Sequence, residues 1–114
     1  MKRLIVGVLL LSMVGVASAD GYGGTCRGLF ENWKVFKSEN RQPLWQASQY
    51  AGYVAGWLDA DTYHNKNGIN LPAGFTQMQA YQIVGNWLER HPEKWHLYQS
   101  ICVYSALKEA YGLK

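Results

Sequence analysis

From Cys26 to Tyr111 the apolar residues recur at three- and four-residue steps, the period of one face of an α-helix, and no strand-like alternation of any length competes with it. A chain patterned this way folds as an all-α domain, and four segments can be read. The first runs from Cys26 to about Lys37, with Cys26, Leu29, Phe30, Trp33 and Phe36 on one face and Arg27, Glu31, Lys34 and Lys37 on the other. The second opens at Pro43, which suits a first helical position, and runs to about Tyr63 with Leu44, Ala47, Tyr50, Ala51, Val54, Trp57 and Leu58 as its stripe. The third begins at Thr76, whose hydroxyl and the Gln79 side chain form a capping-box pattern, and buries Ala80, Ile83, Val84, Trp87 and Leu88. Pro92 ends it at His91 and starts the fourth, which is expected to run to about Tyr111 with Trp95, Tyr98, Ile101, Cys102, Ser105 and Ala106 inward and Gly112 closing it. His64 to Phe75 is the one sizeable loop, broken by Asn67-Gly68, Pro72 and Gly74.

The N-terminus carries a different pattern. Met1, Lys2 and Arg3 form a cationic start, Leu4 to Val16 an apolar run of thirteen residues, and Ala17-Ser18-Ala19 a small-x-small cleavage pattern. The run falls short of the ~20 residues that span a bilayer. Residues 1–19 are therefore expected to be a cleavable export signal, and 20–114 a single small domain with no membrane segment after cleavage. With Lys2 and Arg3 removed, nine basic residues face eight acidic ones, and the basic residues are scattered, which excludes a nucleic-acid-binding charge pattern. All five Trp, eight Tyr and three Phe lie in the domain, enough for one core.

Two cysteines remain, Cys26 near the start of the domain and Cys102 near its end. In an oxidising compartment a disulfide is the simplest reading, with two free thiols or an intermolecular bridge as the alternatives. Closing a loop across 76 positions would stabilise the fold by up to about 4.5 kcal/mol on the loop-entropy model. No CxxC motif for redox work or CxxCH motif for haem is present.

Three groups of residues invite a functional reading. Ser48, Gly52, Gly56 and Ala60 fall at steps of four along the second helix, and two interior glycines on one line imply a close approach, either by another helix of the chain or by a second copy in a homodimer. Asp59, Asp61 and His64 crowd the end of that helix, where carboxylates oppose the helix dipole and so call for a partner. Asp59 and Asp61, two residues apart, point away from each other, which argues for structural hydrogen bonding or partner contact rather than metal binding or proton transfer. His91-Pro92-Glu93-Lys94-Trp95-His96 fails as a zinc motif because proline separates the histidines. Glu93 and His96 have the spacing of a di-iron helix, but the second copy of that pattern is missing, and a corner-forming role is expected. No nucleophile, base and orienting group fall in a recognisable arrangement, so the chain is read as a non-enzyme without metal or cofactor.

Taken together, Cys26, then Gly52-Tyr53-Val54-x-Gly56-x-x-Asp59-Ala60, then Leu71-Pro72-x-Gly74-x-Thr76-x-x-Gln79, then Trp87-Leu88-x-x-His91-Pro92-Glu93 with His96 and the Ala106-Leu107 region resemble the Rap/Tai immunity proteins of bacterial type VI secretion systems. The resemblance covers nearly all of 20–114. It departs from the family at Asn70, where many members carry a cysteine before the proline. It implies a periplasmic, all-helical, usually dimeric protein that neutralises a peptidoglycan-cleaving amidase effector by blocking its cleft. On that reading the end of the second helix and the loop after it present the inhibitory surface, with Asp61, Tyr63, His64, Lys66 and Asn67 as effector-binding residues. Two rival classes are a periplasmic chaperone of the acid-activated type, separable by suppression of aggregation at low pH, and a structural helical domain without a cognate toxin.

Overall fold

The computed structural model describes residues 23–64 and 68–114; the expected export signal over 1–19, and Lys66 and Asn67, lie outside the described residues. Four α-helices follow one another: α1 (Cys26–Lys37), α2 (Leu44–His64), α3 (Gln77–Arg90) and α4 (Gln99–Tyr111), with a single 3-10 turn at Pro92–Lys94. Among the described residues there is no strand; only two isolated bridges occur, Thr25 with Tyr98 and Ile69 with Leu113. None of the described helices is long and apolar enough to cross a membrane.

Local chemistry explains the helix ends. Thr25 caps α1 by accepting from the Gly28 amide at 3.2 Å. Thr76 and Gln79 form the expected capping box at the start of α3, and Gly112, at φ 74°, closes α4. The inward stripes of α1, α2 and α3 meet in one core. Leu29, Trp33, Tyr50, Val54, Val84, Leu88, Val103 and Leu107 are fully or almost fully enclosed. Packing is most extensive between α1 and α2 and between α3 and α4. The expected disulfide is present: Cys26 and Cys102, both fully buried, are joined at 2.08 Å and fasten the first turn of α1 to α4.

The fourth helix departs from expectation. Instead of running on from Pro92, the chain breaks over residues 95–98 and α4 begins at Gln99. The break serves α1, whose first-turn amides lack helical acceptors. The Trp95 carbonyl accepts from the Arg27 amide at 2.9 Å and the Leu97 carbonyl from the Cys26 amide at 2.8 Å, while Gln99 donates to the Gly24 carbonyl at 2.9 Å. Trp95 stacks on Phe30 with ring centroids 4.4 Å apart and donates its indole N–H to the Leu88 carbonyl. Because the helix restarts at Gln99, its inward face is shifted. Cys102, Val103, Ala106 and Leu107 are buried and Trp95 and Ser105 half-buried, whereas Tyr98 is 74% and Ile101 41% exposed, correcting the expectation that these two point inward. Leu44, expected inward, is likewise exposed, and the buried stripe of α2 starts at Ala47.

Candidate functional site

The last turn of α2 stands clear of the core. Beyond the buried Leu58, Asp59 and Ala60 are exposed, Asp61 is half-buried, and Tyr63 and His64 are exposed, Tyr63 to 85%. The Tyr63 and His64 rings meet edge to face at 5.0 Å, so two aromatic side chains form one projecting unit. Asp59 and Asp61 are two residues apart on one helix, and among the described residues no group of three His, Cys, Asp or Glu side chains could hold a metal ion.

The chain returns from this tip in a defined way. Gly68 takes a positive φ of 66° and Ile69 is buried in the core. Asn70 donates to the Gly112 carbonyl at 2.9 Å and Lys114 to the Gly68 carbonyl at 2.8 Å, so the C-terminal residues hold the returning segment by its backbone. Phe75 then packs edge-on against Tyr111 at 5.4 Å, directly before the capped start of α3. The tip is thus flanked by a long helix on one side and a pinned segment on the other.

The row of small residues on α2 faces outward. Ser48, Gly52, Gly56 and Ala60 are all exposed, and among the described residues nothing lies within 4 Å of where a Cβ on Gly52 or Gly56 would stand. Among the described residues the close approach within the chain that this row could have served is therefore absent. Trp45, 62% exposed, and Tyr63 bracket the row at its two ends.

The close approach that the fold does contain lies elsewhere. A Cβ on Gly85 of α3 would sit 2.2 Å from the indole of Trp33, so only glycine lets α3 lie against that ring. The indole N–H of Trp33 donates to Glu89 one turn further on at 2.7 Å, and Lys37 pairs with the same carboxylate. Those two contacts, Lys37 first and Trp33 second, hold the Glu89 carboxyl below its ordinary pKa. Sequence reasoning passed over Gly85, although the cost of an interior glycine that singled out Gly52 and Gly56 applies to it equally.

At the corner after α3, the His91 amide donates to the Leu88 carbonyl and its ring stacks on Trp87 at 4.2 Å. His91 Nδ1 lies 2.9 Å from Glu93, and its hydrogen bond lowers the Glu93 pKa. Glu109 of α4 accepts from the Trp87 indole at 3.3 Å and pairs with Arg90 at 3.2 Å. These contacts tie a corner to two helices, in keeping with the structural role expected of it. His96 is exposed and takes no part.

A protein-family model of Rap1a immunity proteins matches residues 18–112, almost the whole of the domain. Comparison with curated proteins and with solved structures returns no match.

Proposed function

The chain belongs to the Rap1a immunity protein family, and from that premise we propose that it is a periplasmic immunity protein that binds and inhibits a peptidoglycan amidase effector of a type VI secretion system. The observation that carries this reading is the exposed end of α2, where Tyr63 and His64 project beside a segment fastened to the C-terminus. An aromatic side chain held on a rigid base is the kind of anchor that dominates protein interfaces, since it buries a large area at a low entropic cost. Asp61 of the same turn is included in this proposal as an effector-binding residue, as are Lys66 and Asn67 by their place in the sequence. Inhibition then needs no chemistry from the immunity protein, only occlusion of the cleft.

The test uses purified peptidoglycan amidase effectors of type VI secretion systems, screened for one that the protein binds. Tyr63→Ala combined with Lys66→Ala is expected to weaken binding by roughly thirtyfold, the cost of a typical interface anchor. It is also expected to restore release of fragments from purified cell-wall sacculi, with no fall in melting temperature. Unchanged affinity would overturn the assignment of the surface.

The outward Ser48, Gly52, Gly56 and Ala60 row is proposed as the seam of a homodimer, because its small side chains open a helix face that no described part of the chain covers. Gly56→Leu is expected to leave the fold of a single chain intact, checked by its melting temperature, as among the described residues nothing lies within 4 Å of a Cβ there. It is expected to convert a dimer to a monomer in sedimentation measurements; a dimer that survives it places the seam elsewhere.

A further inference from the structure

A groove of about 560 Å³ runs between the first half of α1, the first half of α2 and the start of α4. That volume falls within the range of small-ligand sites. Along α2 it reaches from Trp45 to Tyr53, while Tyr63 stands ten residues further on, about 15 Å away at the rise of an α-helix. The groove is therefore separate from the proposed inhibitory tip.

Its lining is neutral and rich in amides. Gln46 Nε2 donates to Asn32 Oδ1 at 3.2 Å, and Asn32 Nδ2 donates to Gln49 Oε1 at 3.3 Å. Three primary amides from two helices thus form a relay that ends in a carbonyl acceptor on Gln46 and an N–H donor pair on Gln49. If all three amides are turned over, the relay keeps one donor end and one acceptor end. Beside it stands Trp45, the only one of the five tryptophans with an exposed side chain. The two charged residues of the lining, Arg27 and Glu31, offset one another, paired at 3.8 Å.

Each property narrows the ligand. A neutral lining does not select a phosphate, a carboxylate or a cation. A peptide helix would need a row of apolar anchor pockets and an extended peptide would need a strand edge, and among the described residues the groove offers neither. What remains is a molecule whose polar groups both donate and accept while one of its faces is apolar. Pyranose rings have this character: axial C–H groups lie on one face, hydroxyls lie around the rim, and an acetamido substituent pairs with a primary amide through one donor and one acceptor.

The geometry points to a binding site for a short neutral glycan carrying N-acetylated sugars, with Trp45 stacked on the face of one ring and the Gln46–Asn32–Gln49 relay hydrogen-bonded to its acetamido and hydroxyl groups. This goes beyond the proposed inhibition of an effector and stands whether or not that reading holds.

The test is a titration of the mature protein with N,N′-diacetylchitobiose, followed by indole fluorescence and by the side-chain amide signals in ¹H–¹⁵N spectra. Saturable shifts of the Asn32, Gln46, Gln49 and Trp45 signals are expected, with a dissociation constant on the order of 1 mM. Trp45→Ala and Gln49→Ala are each expected to weaken binding by about tenfold or more while the melting temperature holds. The absence of saturation up to about 20 mM sugar would overturn the site. So would binding that persists undiminished in both variants, or a tetra-alanine peptide that saturates the same signals where the sugar does not.

Discussion

At the scale of single residues, the fold depends most sharply on Gly85. The indole of Trp33 is fully buried and has no room to retreat, so a methyl group 2.2 Å from it forces α1 and α3 apart. Gly85→Ala is expected to lower stability by about 2–3 kcal/mol in urea denaturation, although alanine is the better helix former. In a Trp33→Leu background the same substitution should cost much less, because the obstructing ring is gone, and additive costs would refute the clash as the cause. How much of this was legible in the sequence turns on what glycine reports. The penalty for a helical glycine signals that something comes close, but not what does. At Gly52 and Gly56 it marks an outward face that no described part of the chain approaches, and at Gly85, among Ile83, Val84, Trp87 and Leu88, it merges into an apolar stripe. The exposed Tyr63 poses the complementary difficulty: an aromatic residue at the end of a periodic run reads equally well as core until the end of the helix is seen to pass beyond it.

At the scale of elements, the ends written in local chemistry were legible and the one end set by distant partners was not. Thr76 with Gln79 and Gly112 act within a turn of themselves, so sequence alone places them. Gln99 starts α4 because carbonyls at Trp95 and Leu97 are drawn off to cap α1, some seventy residues earlier, and no window of sequence contains that contact. The link between α1 and α3 through Glu89 is of the same long-range kind, and it carries a pH dependence. Glu89 has its folded-state pKa depressed below the ordinary 4.5, chiefly by Lys37 and then by the Trp33 indole. A depressed carboxyl pKa means that the folded state binds the proton less readily than the unfolded state. The stabilisation is therefore present in full above the ordinary carboxylate range and is lost as the pH falls through the folded value. Stability measured by urea denaturation should decline below about pH 4.5. Glu89→Gln should flatten part of that decline while lowering stability at neutral pH, and an unchanged acid limb would show that the link contributes nothing. The carboxyl is a third exposed, so solvent screening keeps the contribution small.

At the scale of the whole molecule, the disulfide decides how firmly the first helix is held. Cys26 and Cys102 could be paired on paper because only two cysteines exist in the chain, yet the sequence does not show what the bond is added to. It sits beside three backbone hydrogen bonds, from Cys26 to Leu97, from Arg27 to Trp95 and from Gln99 to Gly24, which hold α1 at the same place without it. A bond added to a preformed contact acts mainly on the unfolded chain, by forbidding the extended conformations in which residues 76 apart are separated. Reduction should then leave the helical content of the folded state nearly unchanged while lowering its stability by about 2–4 kcal/mol. For a domain of this size that corresponds to a fall of about 10–25 °C in melting temperature, measured by far-ultraviolet circular dichroism with and without reductant. If helicity is lost on reduction at low temperature, the bond is holding α1 in place rather than constraining the unfolded chain. If neither helicity nor melting temperature moves, the burial of Leu29, Trp33 and Phe36 suffices to dock α1 and the staple is redundant.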